Sequence, residues 1–395
     1  MDLIKIFFWL FIFIVFYSYI GYGLLLWMLL KIRKLNSQKN VPISSKEFEP
    51  PVSLVIASFN EADVIAQKID NCLALDYPTD KLNIYFVADG STDATTEIIG
   101  KHPSVTLLFE PVRAGKVAAI NRAMQFVNTD FVVFCDANTM LNKEAIREII
   151  KHYQDPIVGA VAGEKKVIAE EEKADAAGAG ESLYWKYEST LKKMDSDFHT
   201  VVGAAGELFS VRTALYEHVS PNVLLDDFII SMNICKKGYK VVYEPAAFAT
   251  EPPSFSIKEE QKRKIRISAG GFQSVWMLRS LLNIFKYGRL SFQYISHRVL
   301  RWVVCPILLP TILILNVMIV IDTNILLYQL LLLAQLIFYA AAAGGAYYAS
   351  KNIKVKALYI PYYFVFMNTA LYLGFRRFLS NSQTVLWDKA KRKQP

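Results

Sequence analysis

Long uncharged runs stand near both ends of the chain and flank a stretch of mixed polarity. The first run covers Phe7 to Leu30, and three more follow near the C-terminus: Trp302 to Ile321, Thr323 to Ser350 and Ala357 to Phe375. At about 1.5 Å per residue, a helix of roughly 20 residues crosses a hydrocarbon core of roughly 30 Å. Each run is therefore a candidate transmembrane helix. The first is followed by basic residues and not by a cleavage site, which indicates a retained anchor.

This pattern predicts five segments. They are a transmembrane helix over residues 1–34, a central domain over 50–255, basic interfacial helices over 256–298, a transmembrane cluster over 299–379 and a basic tail over 380–395. The hydrophobic share of 53% supports membrane integration. Because basic residues follow the first run, the positive-inside bias predicts that the central domain is cytoplasmic.

The net charge of +8 is concentrated beside the apolar runs, so lipid is a better partner for it than nucleic acid. Four crossings would place the tail after Phe375 outside, although Arg376 and Arg377 favour the inside. One run is therefore open to being interfacial or re-entrant. The pattern from Ser280 to Tyr294 is also typical of a helix that lies in the interface.

The central domain alternates short apolar runs with segments of helical periodicity. Pro51 to Ser58 is followed by helical spacing over Ala62 to Leu73, and the same alternation recurs three times up to His152. Repeated strand and helix units predict an α/β fold, with a mainly parallel sheet and helices on both faces. Ligands of such sheets bind at the carboxyl ends of the strands.

Polar residues follow four of the predicted strands. They are Ser58, Asn60 and Glu61, then Asp89, then Lys116, and finally Asp136 and Asn138. Each alone is explained by a turn or a helix cap. Together they favour a nucleotide and metal site, because a divalent cation on oxygen ligands, helped by a lysine, stabilises a diphosphate leaving group. The chain has neither G-x-x-x-x-G-K-[ST] nor G-x-G-x-x-G, which argues against ATP hydrolysis and hydride transfer.

The four cysteines form no C-x-x-C pair. They are Cys72, Cys135, Cys235 and Cys305. This spacing indicates neither a zinc site nor a disulfide framework, and it suits a domain in the reducing cytosol.

The ordered motifs resemble the inverting family 2 glycosyltransferases, which have the A-type nucleotide-diphospho-sugar transferase fold. The resemblance is to the membrane-integrated branch that includes hyaluronan, chitin, cellulose and poly-N-acetylglucosamine synthases. It runs from Pro51 to about Trp276 and implies that Ser58, Asn60, Glu61, Asp89, Lys116 and Asp136 bind a nucleotide-sugar. It also implies that Asp136 and Asn138 bind Mg²⁺ or Mn²⁺. Asn138 stands where the family has a second aspartate, and an amide oxygen holds a hard cation less tightly.

Two motifs further along the chain extend the resemblance. Gly203 and Gly206 match a small-residue segment beneath the donor and acceptor sugars, although a tight turn would use glycine equally well. Asp226 and Asp227 match the family's acidic pair, which implies that Asp227 is the general base. The pair would also suit the first turn of a helix through its dipole.

The last family motif, Q-x-x-R-W, is incomplete. Gln261 is followed by Arg263 and Arg266 but by no tryptophan in register, and Trp276 lies too far along the chain. The resemblance implies that Arg263 or Arg266 meets the diphosphate or the acceptor. A basic helix on the membrane surface is the alternative interpretation.

These observations predict a multi-pass enzyme of the plasma or inner membrane. Its cytoplasmic domain would transfer a sugar from a UDP-sugar to a growing beta-linked polysaccharide. Single transfer to a polyprenyl phosphate or glycolipid stays open, as does an inactive polysaccharide-binding subunit, against which Asp89, Asp136 and Asp227 argue. The expected partners are a UDP-sugar, a glycan or lipid-linked acceptor, membrane lipid and accessory export or regulatory subunits, with no nucleic acid.

Overall fold

A computed structural model describes residues 1–36, 48–167, 176–252, 256–351, 353 and 355–380 of the chain. The predicted basic tail lies outside these residues, apart from Ser380. In chain order the elements are α1 (Asp2–Phe16), α2 (Tyr22–Asn36), β1 (Val52–Ser58), α3 (Ile65–Leu73), β2 (Leu82–Asp89), α4 (Thr95–Gly100), β3 (Thr106–Glu110), α5 (Lys116–Ala123), β4 (Phe131–Asp136), β5 (Met140–Leu141), α6 (Ala145–Ile150), β6 (Val158–Val167), α7 (Ala176–Phe198), β7 (Leu208–Arg212), α8 (Asp226–Lys236), β8 (Lys240–Glu251), α9 (Ile257–Met277), α10 (Ile284–Tyr287), α11 (Arg289–Tyr294), α12 (Cys305–Asp322), α13 (Leu326–Ser350) and α14 (Lys356–Leu379).

The eight strands form one mixed sheet in the order β3-β2-β1-β4-β7-β6-β8-β5. The first four strands in this order are parallel, and β6 is parallel to β8. Strand β7 is antiparallel to both of its neighbours, and β5 is antiparallel to β8. The predicted α/β fold with a mainly parallel sheet is therefore confirmed, and the antiparallel strands are its unpredicted part.

Alternate strand residues supply a hydrophobic core on each face of the sheet. Val55 and Val132 point into one core, whereas Leu54 and Val133 point into the other. This follows from the two-residue repeat of a strand and from β1 and β4 being buried on both faces. The helices on both sides hold the strand ends in place, and these ends carry the predicted polar residues.

Three helical segments are long and apolar enough to cross a membrane: Asp2–Leu35, Arg289–Asp322 and Leu326–Ser350. The fourth predicted run, Ala357 to Phe375, lies in α14, which is not among them within the described residues. Helix α14 is packed closely between α9 and α13. A Cβ on Gly374 would lie 2.5 Å from the Cβ of Ser268, and one on Gly345 would lie 2.6 Å from the Leu358 carbonyl oxygen.

The predicted interfacial stretch Ser280 to Tyr294 is broken into short helical pieces. A 3-10 helix over Arg279–Leu282 precedes α10 and α11, and Gly288 between these helices has a φ of 51°. Phe285 in α10 is 99% exposed, as expected of a side chain that meets lipid.

A buried ionic network joins α7 to two of the candidate membrane-spanning segments. The His297 ring lies between two α7 carboxylates, with its Nδ1 2.5 Å from Asp195 and its Nε2 3.3 Å from Glu188. The hydroxyl of Tyr22 donates to Asp195, and Arg298 lies 2.6 Å from Glu188. Because a broken buried ion pair is costly, this network holds the central domain firmly on these candidate segments.

Candidate active site

A cavity of about 760 Å³ opens at the carboxyl ends of β1, β2 and β4 and continues past α8 and α9 to α14. The predicted site residues that line it are Ser58, Glu61, Asp89, Lys116, Asp136, Asn138, Gly206, Asp226, Asp227, Arg263 and Arg266. Asn60, Gly203 and Gln261 are not among the lining residues. The parallel register explains the convergence, because it places Asp136 beside Ala57 at the end of β1.

Asp89 holds the loop that leads into α5. Its Oδ2 accepts hydrogen bonds from the backbone N–H of Ala114 at 3.0 Å and of Gly115 at 2.6 Å. Gly115 has a φ of 97°, a conformation that favours glycine. The carboxylate also lies 3.7 Å from the guanidinium of Arg122. Asp89 therefore positions the start of α5 and with it Lys116.

Lys116 and Asp136 form an ion pair inside the cavity, with Nζ 2.5 Å from Oδ1. Burial alone would lower the pKa of Lys116, but Asp136 and Asp226 raise it above its usual value. Burial raises the pKa of Asp136, against the pull of Lys116. Lys116 thus stays positively charged. A bound diphosphate would compete with the carboxylate of Asp136 for the interaction with this charge.

Gly206 lies between Lys116 and Asp227. A Cβ built on it would be 3.2 Å from the Lys116 Nζ and 3.3 Å from the Asp227 Oδ2. Any side chain here would crowd the charged groups, so glycine leaves space for a ligand between them.

The acidic pair occupies the first turn of α8. The Oδ1 of Asp227 accepts from the Phe228 N–H at 2.8 Å, whereas Asp226 is buried and its Oδ2 has no hydrogen-bond partner among the described residues. Burial and the neighbouring Asp226 raise the pKa of Asp227 to about 7, with Lys116 opposing. A carboxyl group with a pKa near neutrality is suited to accept a proton.

Helix α9 contributes two arginines. The Nε of Arg263 donates to Glu260 at 3.1 Å, and its guanidinium lies 3.8 Å from Glu251. Burial and the adjacent Arg263 lower the pKa of Arg266. Arg266 has no ion-pair or hydrogen-bond partner within the described ranges. The incomplete family motif thus reaches the cavity through Arg263 and Arg266, whereas Gln261 does not.

A tryptophan reaches the cavity from another element. Trp302 lies in the π-helical segment Ile295–Val304 and packs on Phe228, with ring centroids 5.4 Å apart. A Cβ on Gly203, at φ +88°, would lie 2.1 Å from the Phe228 ring, and one on Gly271 would lie 2.9 Å from Trp302. These glycines make room for the aromatic pair next to Asp227. Sequence analysis missed Trp302 because it counted only as the start of an apolar run.

The nucleotide end of the cavity has a second aromatic contact. The Arg113 guanidinium lies 3.6 Å from the Phe59 ring centroid, and both residues line the cavity. Asn60 has a φ of 52° and its Oδ1 accepts from the Thr92 N–H at 2.8 Å, so it shapes the turn behind Phe59. Arg113 stands three positions before Lys116, after the third predicted strand, and this position was the available signal for it.

A fully buried lysine supports the loop between Asp136 and Thr139. The Nζ of Lys68 donates to the Thr139 carbonyl at 2.6 Å and lies 3.1 Å from the Cys135 sulfur. The Thr139 hydroxyl in turn donates to the Asp136 carbonyl at 3.0 Å. No sequence signal identified Lys68, because it belongs to the apolar face of α3 by spacing.

Cation ligands in the cavity are few. The described part of the chain contains no group of three or more His, Cys, Asp or Glu side chains that could hold a metal ion. Asp136 and Asn138 offer one carboxylate and one amide oxygen. Mg²⁺ is commonly held by one or two protein carboxylates together with substrate phosphates, so this pair fits a hard cation that is completed by a bound diphosphate.

Comparisons with known proteins agree with this geometry. Residues 53–220 match the family model described as Glycosyl transferase family 2. The chain is 25% identical over 266 residues to a poly-beta-1,6-N-acetyl-D-glucosamine synthase of Staphylococcus aureus (strain MSSA476), covering 65% of this chain and 61% of that protein. It is 24% identical over 252 residues to the Staphylococcus epidermidis synthase, covering 61% and 58%. The match thus spans about three fifths of these relatives' length.

A solved structure also resembles the chain. It is a mannosyltransferase from Pyrobaculum calidifontis in complex with GDP-Man and Mn²⁺, with 21% identity, a TM-score of 0.69 and coverage of 95% of this chain and 100% of that one. This likeness confirms the predicted A-type transferase fold, and the family match confirms the family resemblance.

Proposed function

We propose that this chain, which carries a family 2 glycosyltransferase domain, transfers a sugar from a UDP-sugar, with inversion, to a glycan acceptor at the cytoplasmic face of a membrane. The observation that carries this proposal is the convergence of Lys116, Asp136 and Asp227 around Gly206. It supplies a cation for a leaving diphosphate and a base for an attacking hydroxyl at opposite sides of one small space.

The donor occupies the strand-end part of the cavity. The nucleotide lies against Ser58, Phe59 and Glu61, where the ring of Phe59 and the Arg113 guanidinium offer flat surfaces to the base. Asp136 lies closer to the reaction centre, in its ion pair with Lys116. Lys116, and Arg266 from α9, neutralise the charge that develops on the diphosphate as it leaves.

Asp227 is the base in a single displacement. The acceptor hydroxyl oxygen attacks the anomeric carbon while the bond from this carbon to the diphosphate oxygen breaks. The hydroxyl proton passes to Asp227, whose pKa of about 7 lets it be deprotonated before the reaction and protonated during it. Burial and the negative charge of Asp226 keep this pKa high.

Asp136 and Asn138 would hold a divalent cation together with the donor phosphates. When bound, such a cation would neutralise charge on the leaving diphosphate. Mn²⁺ is bound in the mannosyltransferase of similar fold, which supports the same class of ion here.

The acceptor approaches from the other end of the cavity. Trp302 and Phe228 form an aromatic surface directly behind Asp227 on which a sugar ring can pack. The relatives named as polysaccharide synthases support a growing beta-linked glycan as the acceptor. Single transfer to a lipid-linked acceptor is the second candidate, favoured by the apolar wall that α14 adds to the cavity.

Three crossings give a consistent topology. With the N-terminus outside, Asp2–Leu35 brings the catalytic domain into the cytoplasm, and Arg289–Asp322 and Leu326–Ser350 cross out and back. Helix α14 then lies along α9 without crossing, and its Phe364 ring contacts Phe338 of α13 and Tyr19. This arrangement places Arg376 and Arg377 inside, as the positive-inside bias requires, and removes the conflict that four crossings create.

The test is a screen of nucleotide-sugars with the purified full-length chain and Mg²⁺ or Mn²⁺. We expect release of UDP and transfer of labelled sugar from at least one UDP-sugar. Asp227→Asn should abolish transfer while UDP still binds, as measured by calorimetry. The matched control is Asp80→Asn, an exposed carboxylate far from the cavity. Turnover retained in Asp227→Asn would sink the assignment of the base.

A further inference from the structure

Helix α14 forms a long and mostly apolar wall of the cavity. The lining residues on this helix are Tyr359, Ile360, Tyr363, Phe364, Met367, Asn368, Leu371 and Arg377. From Tyr359 to Leu371 these residues recur every three to four positions on one face, and Arg377 follows six positions later, at the edge of that face. At about 1.5 Å per residue, the stretch from Ile360 to Arg377 is roughly 25 Å long. The wall is far longer than one sugar ring needs.

An arginine ends this wall. Arg377 lines the cavity from the last turn of α14, and no acidic residue occurs in this helix. Among residues that the structure describes, the Arg377 guanidinium has neither an ion-pair nor a hydrogen-bond partner, and only the backbone carbonyl accepts, from Ser380. The helix dipole favours a cation in the last turn, but it does so equally for the exposed Arg376, which does not line the cavity.

The end of α14 is linked to the acidic pair through α9, and Arg377 and Asp227 line the same cavity. Gly374 contacts α9 at Ser268, and two residues further along α9 a Cβ on Gly270 would lie 2.7 Å from the Leu225 side chain. Leu225 directly precedes the acidic pair at the start of α8. A ligand on Arg377 can therefore continue over α9 toward Asp227 without leaving the cavity.

We infer that this part of the cavity binds the lipid carrier of the acceptor, with its phosphate on Arg377 and its apolar chain along α14. The inference rests on the proposed function and specifies its acceptor as a sugar linked through phosphate to a lipid. Guanidinium groups bind phosphate through paired hydrogen bonds, and the apolar face removes a hydrocarbon chain from water.

Two other occupants fit less well. A lipid-free glycan is covered with hydroxyl groups, whereas the α14 wall offers it chiefly apolar and aromatic surface. Bulk bilayer lipid would meet the apolar face, but a charged side chain at a surface of that kind is costly without an anionic partner. A phosphate-linked lipid satisfies both the charge and the apolar wall.

The experiment compares four acceptors that carry the same sugar. They are a farnesyl phosphate-linked sugar, the sugar 1-phosphate, an alkyl glycoside and a methyl glycoside, so phosphate and lipid vary independently. Full-length chain is assayed in nanodiscs of phosphatidylcholine, with or without phosphatidylglycerol as an anionic bilayer lipid. KM and kcat are measured for each acceptor with the UDP-sugar that turns over.

Two matched pairs of variants locate the effect. Arg377→Gln is compared with Arg376→Gln, and Met367→Ser on the lining face with the exposed Leu373→Ser. We expect Arg377→Gln to raise KM about tenfold for the two phosphate-bearing acceptors only. Met367→Ser should raise KM several-fold for the two lipid-bearing acceptors only, and both controls should match the unsubstituted chain.

The outcomes separate the inference from the proposed function. Equal KM for all four acceptors, or equal effects within each matched pair, would overturn the lipid carrier and leave sugar transfer in place. If Arg377→Gln no longer raises KM once phosphatidylglycerol is added, the arginine binds bilayer lipid instead. This result would also overturn the inference. Neither transfer nor release of UDP with any acceptor would overturn both.

Discussion

Replacing Asp227 with Asn should stop catalysis and stabilise the protein at the same time. The folded chain raises the pKa of Asp227 from 3.8 to about 7, through burial and the charge of Asp226. Between these values the unfolded chain has released this proton and the folded chain still holds it. Stability therefore falls as pH rises from about 4 to about 7 and then levels off.

The magnitude follows from the same shift. A change of about 3 pH units at about 1.4 kcal/mol per unit sets an upper bound of about 4 kcal/mol. Asp227 is only half-buried and faces an open cavity, so solvent screening reduces the effect to about 1–2 kcal/mol. Asn cannot ionise, and its oxygen can still accept from the Phe228 N–H. The variant thus avoids the free-energy cost of an ionised carboxylate at this position and keeps the hydrogen bond from the Phe228 N–H.

Thermal unfolding in detergent measures the effect. At roughly 2–4 °C per kcal/mol for a domain of this size, Asp227→Asn should unfold about 2–8 °C higher at pH 8 and by a smaller margin at pH 5. Transfer should fall by a factor of about 10²–10⁴. Asp80→Asn should leave both quantities unchanged. An Asp227→Asn variant that unfolds at a lower temperature at pH 8 would refute a partly buried carboxylate that Asp226 repels.

Three further changes test other parts of the site. Lys116→Met should raise the donor KM by at least tenfold, because the charged group nearest to Asp136 is lost, and unchanged UDP binding by calorimetry would contradict this role. Asn138→Asp adds a carboxylate and should lower the Mn²⁺ concentration needed for half-maximal turnover; an unaltered Mn²⁺ titration would remove Asn138 from the ligand set. Trp302→Ala should raise the acceptor KM by about two- to tenfold, whereas Trp276→Ala, at a position 65% exposed, should not; equal effects would contradict a sugar platform at Trp302.

The strand ends were predictable because they depend on local pattern. The alternation of strands and helices predicted that β1, β2 and β4 run parallel to one another. Because their carboxyl ends then meet at one edge of the sheet, Asp89 and Asp136 lie at the same edge. Strand β7 was missed because the alternation was followed only to His152. It comes after α7 and is antiparallel to both neighbours, whereas strands joined through a helix were expected to be parallel.

The membrane side of the site was not predictable from local pattern. Trp302 and Phe228 are more than 70 positions apart, and only the close approach at Gly203 and Gly271 brings their rings together. The apolar run in α14 resembles a crossing helix in composition. It lies along α9 because Gly374 permits close contact with that helix, which no pattern in either segment indicates.

Transfer with inversion at the Asp227 site is the central claim, and the configuration of the first product tests it most directly. Full-length chain in nanodiscs is given a UDP-α-sugar, Mn²⁺ and an acceptor, and the anomeric proton of the product is observed by NMR before secondary reactions occur. We predict a beta-linked product from the unsubstituted chain and none from Asp227→Asn. An alpha-linked product, or a beta-linked product that forms equally fast without Asp227, would contradict single displacement at this site.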